Sequence, residues 1–155
     1  MKNLSKYIKM LLAGALCVLL CAGVSACGKS EDKQDEEQEV SSETVEQNLT
    51  ELEALVQDEL FQEQVAALSQ TYEDDGLKVE VTAEGDSVVY KIIYTVAIDE
   101  SKDKQALIDH LESKDFKTSI ESVLRSFKVQ VPQTRSVIVR YIDVNGNIIA
   151  SKEYK

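Results

Sequence analysis

The chain contains no tryptophan, one proline and one histidine, and aromatic residues make up 6% of it. Each shortage weakens a class of function. A sugar cleft usually stacks its substrate on broad rings. The lack of Trp therefore counts against an envelope hydrolase, although 28 acids supply carboxylate pairs in plenty. A single histidine, His110, cannot build a His-rich metal cluster, and no motif pairs it with a serine. It sits beside an apolar helical stripe, as a boundary residue would. There is no glycine-rich phosphate loop. Basic residues are outnumbered as well: 17 against 28 acids gives a net charge of −11. Such a chain is repelled by phosphate backbones and anionic headgroups, which argues against nucleic acid as a partner.

Cysteine is confined to the N-terminal segment, at Cys17, Cys21 and Cys27. That segment opens with Lys2, Lys6 and Lys9 and no acid, and then runs uncharged from Met10 to Ala26. A charged start, an apolar stretch and a small-residue end describe an export signal. The run lies at the short end of the roughly 17–25 residues that cross a bilayer, so an uncleaved membrane helix is the weaker reading.

The four residues Val24-Ser25-Ala26-Cys27 resemble the lipobox of a bacterial lipoprotein signal, aliphatic, small, small, cysteine, at every position. The resemblance implies that the Cys27 thiol receives a diacylglyceryl group and that the chain is cut between Ala26 and Cys27. Two acyl chains suffice for stable anchoring where one is marginal, at roughly 0.8 kcal/mol per buried CH2. The expected location is the extracytoplasmic face of the cell membrane, held by lipid. Cleavage would remove Cys17 and Cys21, leaving no disulfide, no thiol nucleophile and no cysteine ligand. No cofactor is expected beyond the lipid. Cleavage would also remove three lysines and no acid, making the mature chain more acidic still.

Residues 1–26 are thus read as signal peptide, and residues 27–44 as the lipidated cysteine with an acidic linker. Gly28 to Thr44 holds seven acids, two lysines and a single aliphatic residue. It cannot bury a face and reads as a disordered spacer reaching roughly 20–25 Å. Residues 45–155 are read as a single α+β domain.

Within that domain the apolar period changes three times. Val45, Leu49, Leu52 and Val56 repeat at helical spacing, with Ser41, Ser42 and Thr44 as candidate caps. Leu60, Phe61, Val65, Leu68 and Tyr72 continue after a rotation of the stripe near Asp58, a candidate second cap. "EDDG" (Glu73 to Gly76) ends the helical region. Leu77, Val79, Val81 and Ala83 then alternate, "EGD" turns the chain, and Val88, Tyr90, Ile92, Tyr94, Val96 and Ile98 alternate back.

A second helical region, capped by Ser101, carries two offset stripes separated at "SKD" (Ser113 to Asp115), which predicts a bent or two-part helix. Pro132 stops it. A closing hairpin turns at Asn145-Gly146. The order helix, hairpin, helix, hairpin predicts a four-stranded antiparallel sheet with helices packed on one face.

The whole domain resembles a family of small uncharacterised lipoproteins from Gram-positive, clostridial-type bacteria, a domain of unknown function. The resembling parts are "FQEQVAALSQTYEDDGLKVEVTAEGDSVVYKIIYTVAID" and "VIVRYIDVNGNIIASKEYK". The resemblance implies location and fold and carries over no functional residue.

Two acidic turns, Glu73-Asp74-Asp75 before Gly76 and Asp143, Asn145 and Asn147 around Gly146, hold fragments of a calcium-loop pattern. Neither has the full ligand set, and turn chemistry accounts for both. The candidate binding face is the far side of the sheet. If Tyr90, Ile92, Tyr94 and Val96 face the helices, then Val89, Lys91, Ile93 and Thr95 face outward, joined by Ile138, Arg140 and Ile142. This mixed aliphatic and basic patch could dock a partner such as an envelope protein, or an acidic ligand, or it could be ordinary cross-strand pairing. The expected role is a non-enzymatic binding module. The alternative is an accessory lipoprotein of a transport system that binds a small ligand or a peptide. An apolar cleft of roughly 300 Å³ or more between sheet and helices would favour the alternative.

Overall fold

The computed structural model describes residues 50–155. The signal segment, Ala26, Cys27, the acidic linker and the expected helical positions Val45 and Leu49 lie outside the described residues.

The first helix, α1 (Glu51–Gln57), starts at a reciprocal cap. The Thr50 hydroxyl accepts from the Glu53 N–H at 3.1 Å, and the Thr50 N–H donates to the Glu53 carboxylate at 2.7 Å. Two of the helix's open N–H donors are satisfied this way. Asp58 has extended backbone angles and interrupts the helix, and its carboxylate then caps α2 (Glu59–Glu73) by accepting from the Phe61 N–H at 3.1 Å. The break expected at Asp58 is present. Leu60, expected on the apolar stripe, is exposed instead.

The second helical region repeats the device. Ser113 separates α3 (Glu100–Glu112) from α4 (Lys114–Gln130) and caps α4. Helix α3 begins with Asp99 at its N-cap, so Ser101 lies inside the helix rather than before it. Helix α4 buries Phe116, Ile120, Val123, Leu124 and Phe127, the full stripe read from the sequence. Each such side chain contributes about 1.5–3 kcal/mol on burial.

Strands β1 (Leu77–Glu84) and β2 (Ser87–Tyr94) form one hairpin, and β3 (Ser136–Ile142) and β4 (Ile148–Tyr154) the other. The sheet order is β1-β2-β3-β4. The sheet is mixed rather than antiparallel throughout, because β2 and β3 run parallel, with Tyr90 opposite Val139 and Ile92 opposite Tyr141. The α3–α4 connection carries the chain back to the end of the sheet where β2 began, as a parallel crossover requires. The element order among the described residues is therefore helix pair, hairpin, helix pair, hairpin.

The core lies between the sheet and the helices. Val88, Tyr90, Ile92 and Tyr94 of β2 and Val137, Val139 and Tyr141 of β3 are buried in it. Phe61 of α2 meets Phe127 of α4 edge-on, with ring centroids 6.1 Å apart, which joins the two helix pairs. The Tyr154 hydroxyl donates to the Leu111 carbonyl at 2.5 Å and ties β4 to the end of α3. Val96, expected on the buried face, lies past the end of β2 and is exposed.

Candidate binding cleft

A cleft of about 670 Å³ opens where α1 and α2 pass along β1. Strand β1 is an edge of the sheet, so every second residue directs its N–H and C=O away from β2. Two of these groups show the direction. The Val79 N–H donates to the Ser69 hydroxyl of α2 at 3.0 Å, and the Val81 carbonyl accepts a long bond of 3.4 Å from the Gln62 amide. The same amide donates to the Val56 carbonyl, one of the open acceptors at the end of α1. Gln62 thus joins both helices to the strand edge.

The side chains of Val65 and Ala66 on α2 and of Val79 and Val81 on β1 make the cleft apolar inside. Its lining also carries three acids, Glu53, Glu73 and Glu80, and one cation, Lys78. Lys78 is held by Glu80 at 2.8 Å. The cleft is therefore apolar within and negative around.

On the far side of the sheet, the register brings the expected patch together. Val89 lies opposite Ile138, Lys91 opposite Arg140, and Ile93 opposite Ile142. Thr95 follows β2, and its N–H donates to the Gly76 carbonyl at 2.8 Å. The patch is less open than its sequence suggests. Arg140 reaches from β3 across β2 to Glu84 on β1, with bonds of 2.5 and 2.8 Å. This pair passes above Val89, which is fully buried. The two hydrogen bonds from Arg140 hold the Glu84 carboxyl below its ordinary range, and the charges of Arg140 and Lys91 act the same way. Beyond that strap lies an apolar row, Ile93, Ile142 and the exposed Ile148.

The acidic turns are occupied by their own backbone. The Asp143 carboxylate accepts from the N–H of Asn145 at 2.9 Å, the N–H of Asn147 at 2.7 Å and the Asn147 side-chain amide at 2.9 Å. The Asn147 bonds, side chain first, hold its pKa below the ordinary carboxylate range. At the other turn, the Asp75 and Gly76 N–H groups close back on the Tyr72 and Glu73 carbonyls. His110 is half-buried with its ring 4.6 Å from that of Phe116. Among the described residues no cluster of three or more His, Cys, Asp or Glu side chains is placed to hold a metal ion. No described helix is long and apolar enough to cross a membrane.

The sequence profile of a family described as a domain of unknown function, DUF4854, matches residues 52–154. The chain belongs to this family. Comparison with characterised proteins and with solved structures finds no match. The DUF4854 match spans both helix pairs and both hairpins, so the cleft and the strapped face both lie inside the family's domain.

The cleft residues were not singled out by sequence. Ser69 and Gln62 are polar positions on a helix, and nothing in the alternation of β1 marks it as an edge. The apolar Val65 and Ala66 next to Ser69 were the available signal.

Proposed function

We propose that this protein is a lipid-anchored lipoprotein of the extracytoplasmic membrane face, and that its domain is a non-enzymatic module capturing a ligand in the cleft beside β1. Anchoring rests on the charged start, the apolar run and the lipobox-like Val24 to Cys27. The resemblance to small lipoproteins of Gram-positive, clostridial-type bacteria supports the same location. In this reading Cys27 carries the lipid, residues 28–44 are the tether, and the domain follows.

The observation that carries the binding role is the cleft. Its volume of about 670 Å³ falls within the usual range of ligand sites, roughly 300–1,000 Å³. Its apolar interior and polar rim have the composition of such sites. No catalysis is ascribed to the domain, since its strongest polar arrangements serve structure. Asp143 holds a turn, and Glu84 with Arg140 straps the sheet.

A second reading, docking of an envelope protein on the far face, is favoured by the row Ile93, Ile142 and Ile148. A photo-crosslinking amino acid placed in living cells at Gln70 (cleft), Ser151 (far face) or Lys117 (α4) separates the two. Cleft capture predicts a recurrent adduct from Gln70 alone. Adducts from Ser151 without any from Gln70 transfer the role to the far face, and equal labelling from all three overturns both.

A further inference from the structure

We infer that the end of the sheet where β2 and β3 finish docks a partner protein, one whose surface sets an apolar centre among lysine or arginine side chains. This surface goes beyond the cleft reading and does not depend on what the cleft holds. Five large hydrophobic residues are exposed among the described residues, and three of them gather here: Val96 at 54%, Val144 at 51% and Ile148 at 56%. Strand register brings them together. Ile93, Ile142 and Ile148 lie side by side on β2, β3 and β4, Val96 follows the end of β2, and Val144 follows the end of β3. The other two, Leu60 and Val129, stand on α2 and α4. Apolar side chains gathered in water mark a contact surface, while single ones do not.

The surface holds its shape before any partner arrives. Val144 stands on the turn that the Asp143 carboxylate locks, through the N–H groups of Asn145 at 2.9 Å and Asn147 at 2.7 Å. Val96 rests against Gly76, where a Cβ would lie 2.8 Å from the Val96 Cγ2. The Thr95 N–H, bonded to the Gly76 carbonyl at 2.8 Å, fixes that approach. Little ordering then remains to oppose binding.

The same approach places charge beside the apolar residues. Gly76 closes the acidic turn Glu73-Asp74-Asp75, whose three side chains are exposed and form no ion pair among the described residues. Lys78, opposite Ile93, is already held by Glu80 at 2.8 Å. The rim next to Val96 is therefore negative, and a cationic partner surface complements it. A second copy of this chain would bring the same acids, and an anionic membrane would be repelled by them. The chain also enters the domain at the other end. Glu51, next to Thr50, accepts at 2.6 Å from Gln133 of the segment leading into β3. The apolar end thus points away from where the tether enters.

The test places a photo-crosslinking amino acid at Asn145 in the full chain in living cells, with Lys117 as the control. Mass spectrometry names each adduct and locates the joined peptide. Docking predicts one recurrent protein adduct from Asn145 and none from Lys117, joined through a peptide that carries lysine or arginine. Val144→Asp, and separately Asp74→Lys with Asp75→Lys, should each cut its yield roughly tenfold. Tm should stay unchanged, because all three side chains are exposed. Adducts undiminished by the charge reversal overturn the cationic partner. Adducts to lipid or to a second copy, or no recurrent adduct from Asn145, overturn the docking surface itself. Val144→Asp should leave the Gln70 adducts as they were, so the cleft reading and this surface fail separately. Loss of both sets in that variant merges the two into one site and overturns their independence.

Discussion

Arg140 and Glu84 stand on strands that are not neighbours, yet the guanidinium of β3 meets the carboxylate of β1 through two hydrogen bonds across β2. The Arg140 side chain is 22% exposed and that of Glu84 47%, so water screens the pair in part. Glu84→Gln should cost roughly 0.5–1 kcal/mol, at the upper end for a surface pair. Urea denaturation at low and high salt checks this, since the difference from the parent should shrink at 1 M NaCl with its short screening length of roughly 3 Å.

The same pair gives a pH signature. Pairing lowers the folded-state pKa of Glu84, so its contribution is fully present above the unfolded value, about 4.3. It is lost as pH falls through the lower folded value. The stability gap between the parent and Glu84→Gln should therefore be constant from pH 7 to 5 and close as the pH falls through 4 and below. A gap that widens on acidification would contradict the arrangement.

Tyr154 and Tyr90 predict opposite outcomes for one chemical change. Tyr154→Phe leaves the Leu111 carbonyl without its donor and should cost about 1–2 kcal/mol. The Tyr90 hydroxyl is buried with no hydrogen-bond partner among the described residues, and burial pushes its pKa up. Tyr90→Phe removes an unsatisfied group and should leave Tm unchanged or raise it. Thermal melts of the two variants side by side decide the matter.

Gly146 has φ +86°, and a Cβ there would meet nothing within 4 Å. The whole penalty of a side chain is therefore conformational. Gly146→Val should destabilise by about 1–2 kcal/mol, whereas Gly146→Asn, which enters left-handed backbone more easily, should lose less. Chemical denaturation of both variants measures the difference.

For the proposed anchor, Cys27→Ala should abolish incorporation of a labelled fatty acid and leave a full-length precursor on gels. A variant that is still processed and labelled like the parent would remove the lipid from the proposal.

Much of this architecture is legible in the residues, and what is not legible has a common cause. The apolar stripes of α4, the break at Asp58 and the division at Ser113 depend on neighbours a few positions away, and the sequence displays them directly. The alternation in β2 and β3 also displays which face is buried. It says nothing of which strand lies alongside or which way it runs, because side-chain period is the same in parallel and antiparallel pairs. The parallel pairing of Tyr90 with Val139 was missed for that reason. So was the edge position of β1, and with it the cleft. Arg140 was read as part of an outward patch, while its partner Glu84, far off in sequence, was invisible.

The parallel seam between β2 and β3 has a consequence for synthesis. Each hairpin closes locally, but the seam joins residues separated by both α3 and α4. When the first half of the domain has left the ribosome, β2 presents a bare inner edge, and α4 with its buried Phe116 and Phe127 is still to come. The sheet is complete only when β3 arrives to close the seam.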